Sequence, residues 1–145
     1  RKRCTAIDER RADFTPTLWG SKAAGSVEQV WFAGVHADVG GGYKRSDDDR
    51  LLSDIPLAWM AGEAKTAGLE FERHLYVKAK LDHRARQHKS HRSFWRALGR
   101  ERREIPPDAV LHTSVRKRFE QCDYAPRQLE EWLQRRDGDW GQLAS

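Results

Sequence analysis

His36 and Asp38 stand two residues apart, just after a run of apolar residues and just before Gly40-Gly41-Gly42 and Tyr43. An imidazole titrates near neutrality, so it can take up a proton and return it. At the end of a buried strand it would be held rigidly while its ring stayed accessible. His36 is therefore the candidate general base, although ordinary polar residues also occupy strand ends. Asp38 could orient His36, share a metal with it, or bond to the amides of its own turn, the commonest fate of an aspartate in a loop. The three glycines, with Tyr43, could cradle an anion or let the chain approach a substrate closely. A tight turn with positive φ needs glycine just as much. No lysine sits at P-loop spacing, so nucleotide binding has little support.

Asp8 is a second candidate acid. It ends an earlier strand-like segment, and in α/β hydrolases the chain order is nucleophile, acid, histidine. With Glu9, Arg10 and Arg11 it could equally belong to a surface ion-pair cluster. The nucleophile itself is not found. The sequence holds no Gly-x-Ser-x-Gly; Ser21 follows Gly20 but has Ala23 where the second glycine belongs. Neither cysteine, Cys4 or Cys122, sits in a strand-to-helix elbow or at metal-ligand spacing, and both read as reduced thiols. His83, His88 and His91 are loosely spaced like metal ligands but have no further ligands nearby. No metal and no cofactor are expected.

The charge is uneven. The formal net charge is +5, yet Arg84, Arg86, Lys89, Arg92, Arg96, Arg100, Arg102 and Arg103 crowd one stretch opposed only by Glu101. The rest of the chain is slightly acidic. Phe94 and Trp95 lie among these cations. Such a stretch could dock on anionic lipid with its aromatics at headgroup level, or grip phosphates and stack bases; nucleic acid is the less favoured partner. A solvated insert over about 83–104 has the same composition.

The elements that must position these residues are legible in part. Residues 4–9 read as a short strand. Residues 10–26 read as connection, interrupted by Pro16, Gly20 and Gly25 and anchored by Phe14, Leu18 and Trp19. From Val27 to Val35 the chain is nearly continuous in apolar, β-branched and aromatic residues, the pattern of a strand covered on both faces in a parallel sheet. His36 to Tyr43 reads as a loop at that strand's carboxyl end, where open α/β sheets bind ligands. A helix is expected from Ser53, its N-cap, to Gly68, with Ile55, Trp59 and Met60 on its apolar face. Leu75 to Leu81 alternates weakly, like an exposed strand. Ser114 is a candidate cap for a short helix through Val115 and Phe119. A last helix follows Pro126 and ends by Gly138, with Leu129, Trp132 and Leu133 on one side. The expected class is α/β: a few parallel strands with flanking helices.

Apolar residues make up 38% of the 145 and charged residues 34%. That is polar for a self-contained domain, where apolar usage is about 45–50%. Six tryptophans argue against general disorder. No apolar run approaches the ~20 residues of a membrane span. The basic start Arg1-Lys2-Arg3 leads to Asp8 and Glu9 rather than to an apolar stretch, so no signal peptide is read there. Synthesis in the cytoplasm is expected, with later secretion compatible.

The segment from Val27 to Tyr43, Val-Glu-Gln-Val-Trp-Phe-Ala-Gly-Val-His-Ala-Asp-Val-Gly-Gly-Gly-Tyr, resembles the signature of a family of bacterial and fungal α/β hydrolases. That family includes phospholipase effectors of the type VI secretion system. Asp8-Glu-Arg-Arg11 with Phe14, Pro16, Leu18 and Trp19 is similar to its preceding segment. Leu52 to Met60, closing at Gly68-Leu69, is similar to its following helix. His112-Thr-Ser-Val115 with Arg118, Tyr124, Pro126 and Leu129 is similar to its closing segment, while residues 72–105 are largely unmatched. The resemblance implies the C-terminal portion of an α/β-hydrolase domain over 1–145, with His36 as the triad histidine. It implies a serine esterase or lipase reaction through an acyl-enzyme. It places the Gly-x-Ser-x-Gly elbow and the acidic triad member N-terminal to Arg1, which counts against Asp8 and leaves the chain alone inactive. Phospholipid, or another ester, is the implied substrate. Two other readings stay open: a non-catalytic module binding anionic membrane or nucleic acid, and a silent piece of an effector that contacts a secretion or immunity partner.

Overall fold

The computed structural model describes residues 1–18, 27–45, 50–72, 79–89 and 101–145. Its centre is a sheet of four strands in sequential order: β1 (Lys2–Ala6), β2 (Glu28–Phe32), β3 (Val110–His112) and β4 (Leu143–Ala144). Every pairing is parallel; Cys4 lies beside Val30, Trp31 beside Leu111, and Leu111 beside Leu143. Parallel neighbours cannot be joined by a hairpin, so each connection must cross over a face of the sheet. Those crossovers carry the helices: α1 (His36–Gly40), α2 (Asp54–Thr66), α3 (Thr113–Gln121) and α4 (Arg127–Gln134). The class is α/β, as the alternation of apolar runs and helical stretches implies.

β2 explains the arrangement. Val30, Trp31 and Phe32 are all buried, which a strand achieves only when both of its faces are covered. Side chains alternate, and the two faces have separate cores. Trp31 packs with Ile7, Leu111, Val115, Leu129 and Trp132, the α3–α4 side. Val30 and Phe32 pack with Ile55 and Trp59 of α2 on the other. β3 follows the same alternation: Leu111 joins the first core, while the His112 ring stacks on Phe32 at 4.8 Å.

Several expectations need correction. The segment after β2 is not a glycine loop throughout; His36 opens the short helix α1, and Gly40 is its last residue. Gly41 and Gly42 take positive φ, so two of the three glycines serve a turn. Ser53 precedes α2 but makes no side-chain cap bond. Asp54, beside it, is buried and takes both guanidinium nitrogens of Arg45 at 2.8 and 3.0 Å. The cap of α3 is His112 rather than Ser114: its Nδ1 accepts the Ser114 amide at 3.1 Å and lies 2.8 Å from the Ser114 hydroxyl. Burial, with Lys117 nearby, pushes the His112 imidazole down to about 4, so the ring is neutral and able to accept. Asp8 and Glu9 are buried, so they form no surface cluster. Residues 79–81 are not strand, and the remainder of the expected Leu75–Leu81 strand lies outside the described residues. Among the described residues no helix is long and apolar enough to cross a membrane.

Trp132 ties α4 to the sheet. It is fully buried, and its indole N–H donates to the Pro106 carbonyl at 2.8 Å. Trp132→Ala removes one of the two tryptophans of that core and should lower unfolding free energy by about 3–5 kcal/mol. Urea denaturation of the two proteins checks this; a loss under ~1 kcal/mol would mean that α4 is not part of the cooperative core.

Candidate functional site

The chain leaves β2 through Gly34, Val35 and His36, and each of these amides donates to a different carboxylate. Gly34 N–H reaches Asp8 Oδ2 at 2.7 Å, Val35 N–H reaches Asp38 Oδ2 at 3.1 Å, and His36 N–H reaches Glu9 Oε2 at 3.0 Å. All three acids are buried. Gly34 has φ +108°, and a Cβ added there would lie 2.5 Å from the Asp38 Cβ. Only glycine fits at that corner, because an L side chain would meet both strained backbone and a packed neighbour.

The three carboxylates differ in how their charge is met. Burial would raise Glu9, but the Arg11 guanidinium and the amides of Arg11 and His36 outweigh it and leave it at about 2. Glu9 Oε1 and Oε2 take Arg11 Nε and Nη2, both at 2.9 Å. Asp8 has no such cation bound to it. It accepts the Tyr124 hydroxyl at 3.0 Å, besides Gly34, and Gln128 lies 3.4 Å away. Burial dominates there and raises Asp8 to about 6. Asp8 thus links the β1 end, the Gly34 corner and the helical layer, and among the described residues it bonds to no histidine.

Asp38 is the acid that does meet an imidazole, and that imidazole is His88. Asp38 Oδ1 lies 2.7 Å from His88 Nδ1, and Asp38 Oδ2 also accepts the His88 amide at 3.1 Å. Tyr43 stacks on the same ring, with centroids 3.6 Å apart and planes within 17°. Burial, followed by the charge of Asp38, pushes the Tyr43 phenol above its ordinary range, so it stays neutral. Of the three roles open to Asp38, orienting His36 has no bond to support it among the described residues, since residues two apart on a helix point to different sides. Asp38 does bond to an amide of its own turn, that of Val35.

His36 is exposed and turns toward a different feature. Its ring meets Phe14 edge-on at 4.8 Å and, among the described residues, has no hydrogen-bond partner. It lines a cleft of about 340 Å³ together with Arg3, Phe14, Val39, Gly40 and Arg103. Arg11 covers the other side of Phe14, its guanidinium carbon 3.7 Å from the ring centre. Arg103 crosses from the far end of the chain and donates to the Ala6 and Phe14 carbonyls, fixing the cleft wall.

Of the basic surface, Arg84, Arg86 and Lys89 are described and exposed; Arg92 and Arg96 lie outside the described residues. Arg84 donates to Gln121 at 3.1 Å. Among the described residues no group of histidine, cysteine and acidic side chains could hold a metal; His91, the third of the loosely spaced histidines, lies outside the described residues. Both cysteines are free thiols.

Glu9, Gly34, His88 and Tyr124 were not singled out as site residues by the sequence. Glu9 has one local sign, the arginine two positions on. His88 was noted only for its loose spacing with His83 and His91; nothing local points to Asp38, fifty residues away.

Residues 2–63 match the family model for the catalytic domain of Tle1-like phospholipase effectors of the type VI secretion system. The match takes in β1, β2, α1 and most of α2, including Asp8, Glu9, Gly34, His36 and Asp38. No curated protein and no solved structure matches the chain.

Asp8 makes a testable contribution to stability. Its folded value of about 6 lies above the ordinary 3.8, so between those pH values the folded protein keeps a proton that the unfolded chain has lost. Stability from this group is fully present below about pH 4 and falls as pH rises to about 6. Asp8→Asn lacks this loss. The stability of the wild type relative to the variant should drop by roughly 3 kcal/mol between acidic and neutral pH. Urea titrations at both pH values measure it; a difference that does not move with pH would place the Asp8 carboxyl in a wetter site.

Proposed function

We propose that this chain forms part of a serine-type ester hydrolase acting on phospholipid, with its reacting edge at the carboxyl ends of β1 and β2. The observation that carries the reading is the family match over residues 2–63, which includes the whole corner where Asp8, Glu9 and Asp38 hold the exit of β2. The parallel sheet supports it, since open α/β sheets bind their ligands beyond the carboxyl ends of the strands. The cleft supports it too: cationic Arg3 and Arg103 and apolar Phe14 and Val39 together suit a molecule with an anionic head and an acyl tail. Under this reading the nucleophile is a serine on a segment N-terminal to Arg1, as the family likeness implies. Delivery as a secreted effector belongs to the same proposal.

The likeness gives the role of general base to His36. His36 opens α1 and lines the cleft, where a base could reach a bound ester. Asp38, the acid of the matched segment, holds a different imidazole. Exposed Arg84, Arg86 and Lys89 favour an accompanying role in docking on an anionic membrane.

The test uses the full-length protein on phospholipid vesicles. The wild type should release fatty acid, and His36→Ala should lower kcat by about 10³–10⁴ with little change in KM, as expected when the general base is lost. Absence of fatty-acid release by the wild type from phospholipid and from simple esters rejects the hydrolase reading. A His36→Ala variant within tenfold of an active wild type would reject the base role of His36 and leave the hydrolase reading standing.

A further inference from the structure

A histidine that moves protons must hold its ring still as well as its backbone. An imidazole turns about its side-chain bonds, and a misplacement of about 1 Å at a reacting centre can cost about 10²-fold in rate. The His36 backbone is fixed: the residue opens α1, and its amide donates to Glu9 Oε2 at 3.0 Å. Its ring is exposed, and Phe14 lies against it edge-on with centroids 4.8 Å apart. Edge-on contact is a preferred aromatic geometry, because the positive edge of one ring meets the negative face of the other. Phe14 ends a single 3₁₀ turn, Ala12–Phe14, and is itself held from several sides. Its amide donates to the Arg11 carbonyl at 3.0 Å, and its carbonyl accepts Arg103 Nη2 at 2.6 Å. The Arg11 guanidinium lies over its ring, 3.7 Å from carbon to ring centre. Arg11 is tethered in turn, since Nε and Nη2 both bind Glu9 at 2.9 Å. The set closes on itself: one oxygen, Glu9 Oε2, takes Arg11 Nη2 and the His36 amide together.

We infer that Phe14 is a positioning residue for the His36 imidazole in the ester hydrolase proposed above. The inference rests on that functional reading. Phe14 touches no reacting atom in this role. It acts through His36, by narrowing the orientations that the imidazole can take. Glu9 fixes where the His36 side chain starts, and Phe14 fixes where it points. The size of the effect follows from the pair: an edge-on aromatic contact favours the held orientation by up to roughly tenfold. Phe14 also lines the cleft, so contact with the acyl chain is the competing role. The two roles differ in what they change. A substrate contact sets KM, whereas a positioning residue sets kcat and has nothing to act on once the imidazole is gone.

Substitutions in the full-length protein test this on phospholipid vesicles. Phe14→Leu keeps an apolar side chain and removes the ring. It should lower kcat by about tenfold and leave KM within about twofold of the wild type. Phe14→Tyr, which restores the ring, should return kcat to within about twofold. Circular dichroism checks that each variant folds, and Phe14→Met replaces Phe14→Leu if the latter does not. In the His36→Ala background Phe14→Leu should change the residual kcat by less than about twofold, because a residue that works through His36 is silent without it. A purely structural Phe14 would cost the same factor in both backgrounds. An active wild type overturns the assignment, and leaves the hydrolase reading intact, if Phe14→Leu keeps its kcat, loses only in KM, or loses equally with and without His36. An inactive wild type removes the hydrolase reading and the positioning role together.

Discussion

Three consecutive backbone amides, those of Gly34, Val35 and His36, are each bound by a buried carboxylate. The rest of the site depends on that arrangement. A strand that ends inside a protein leaves amides without a ladder partner, and an unsatisfied buried amide costs about 1–3 kcal/mol. Supplying acids from two places, Asp8 and Glu9 after β1 and Asp38 from the turn itself, satisfies the amides and ties β1 to β2 beyond the last ladder bond. It also brings three negative groups into one small volume. Each must then find its own relief, and the three solutions differ: a guanidinium for Glu9, a hydroxyl and a raised proton affinity for Asp8, an imidazole for Asp38.

This division of labour leaves the three acids in different surroundings. Glu9 and Asp8 are consumed by the scaffold. Glu9 is saturated by Arg11 and two amides besides that of His36, and Asp8 is closed off by Tyr124 and Gln128 from the α3–α4 layer. Only Asp38 spends one oxygen on a ring that still reaches solvent. The cleft beside His36 and the Asp38–His88–Tyr43 cluster therefore lie on either side of one short helix, α1, whose orientation the three acids set. The Gly34 corner allows no side chain, which is why a small residue must stand between the buried strand and that helix.

The packing beneath is organised to keep this corner still. Trp31 is clamped among Leu111, Val115 and Trp132, and Phe32 lies between Trp59 and the His112 ring. Large aromatic rings on alternate faces of one strand resist sliding in either direction, because a register shift of one residue would exchange the two cores.

The α/β class, the buried strand around Val30 to Phe32, the helix through Ile55 and Trp59, and the closing helix through Leu129 and Trp132 could all be read from the chain. Period-2 and period-3.6 apolar patterns are local and survive without tertiary knowledge. The family likeness of the segment from His36 to Tyr43 was legible as well. The partners of its residues were not. Helical geometry after β2 turned His36 and Asp38 to different sides, where a loop reading had left them free to face each other. Burial converted Asp8 from a candidate acid into a fastener. His88, read locally as one cation-flanked histidine among three, met Asp38 only because a crossover of fifty residues brings the chain back over α1. Sequence fixes what a residue can donate or accept; which partner receives it is a matter of long-range contact, and no local period encodes that.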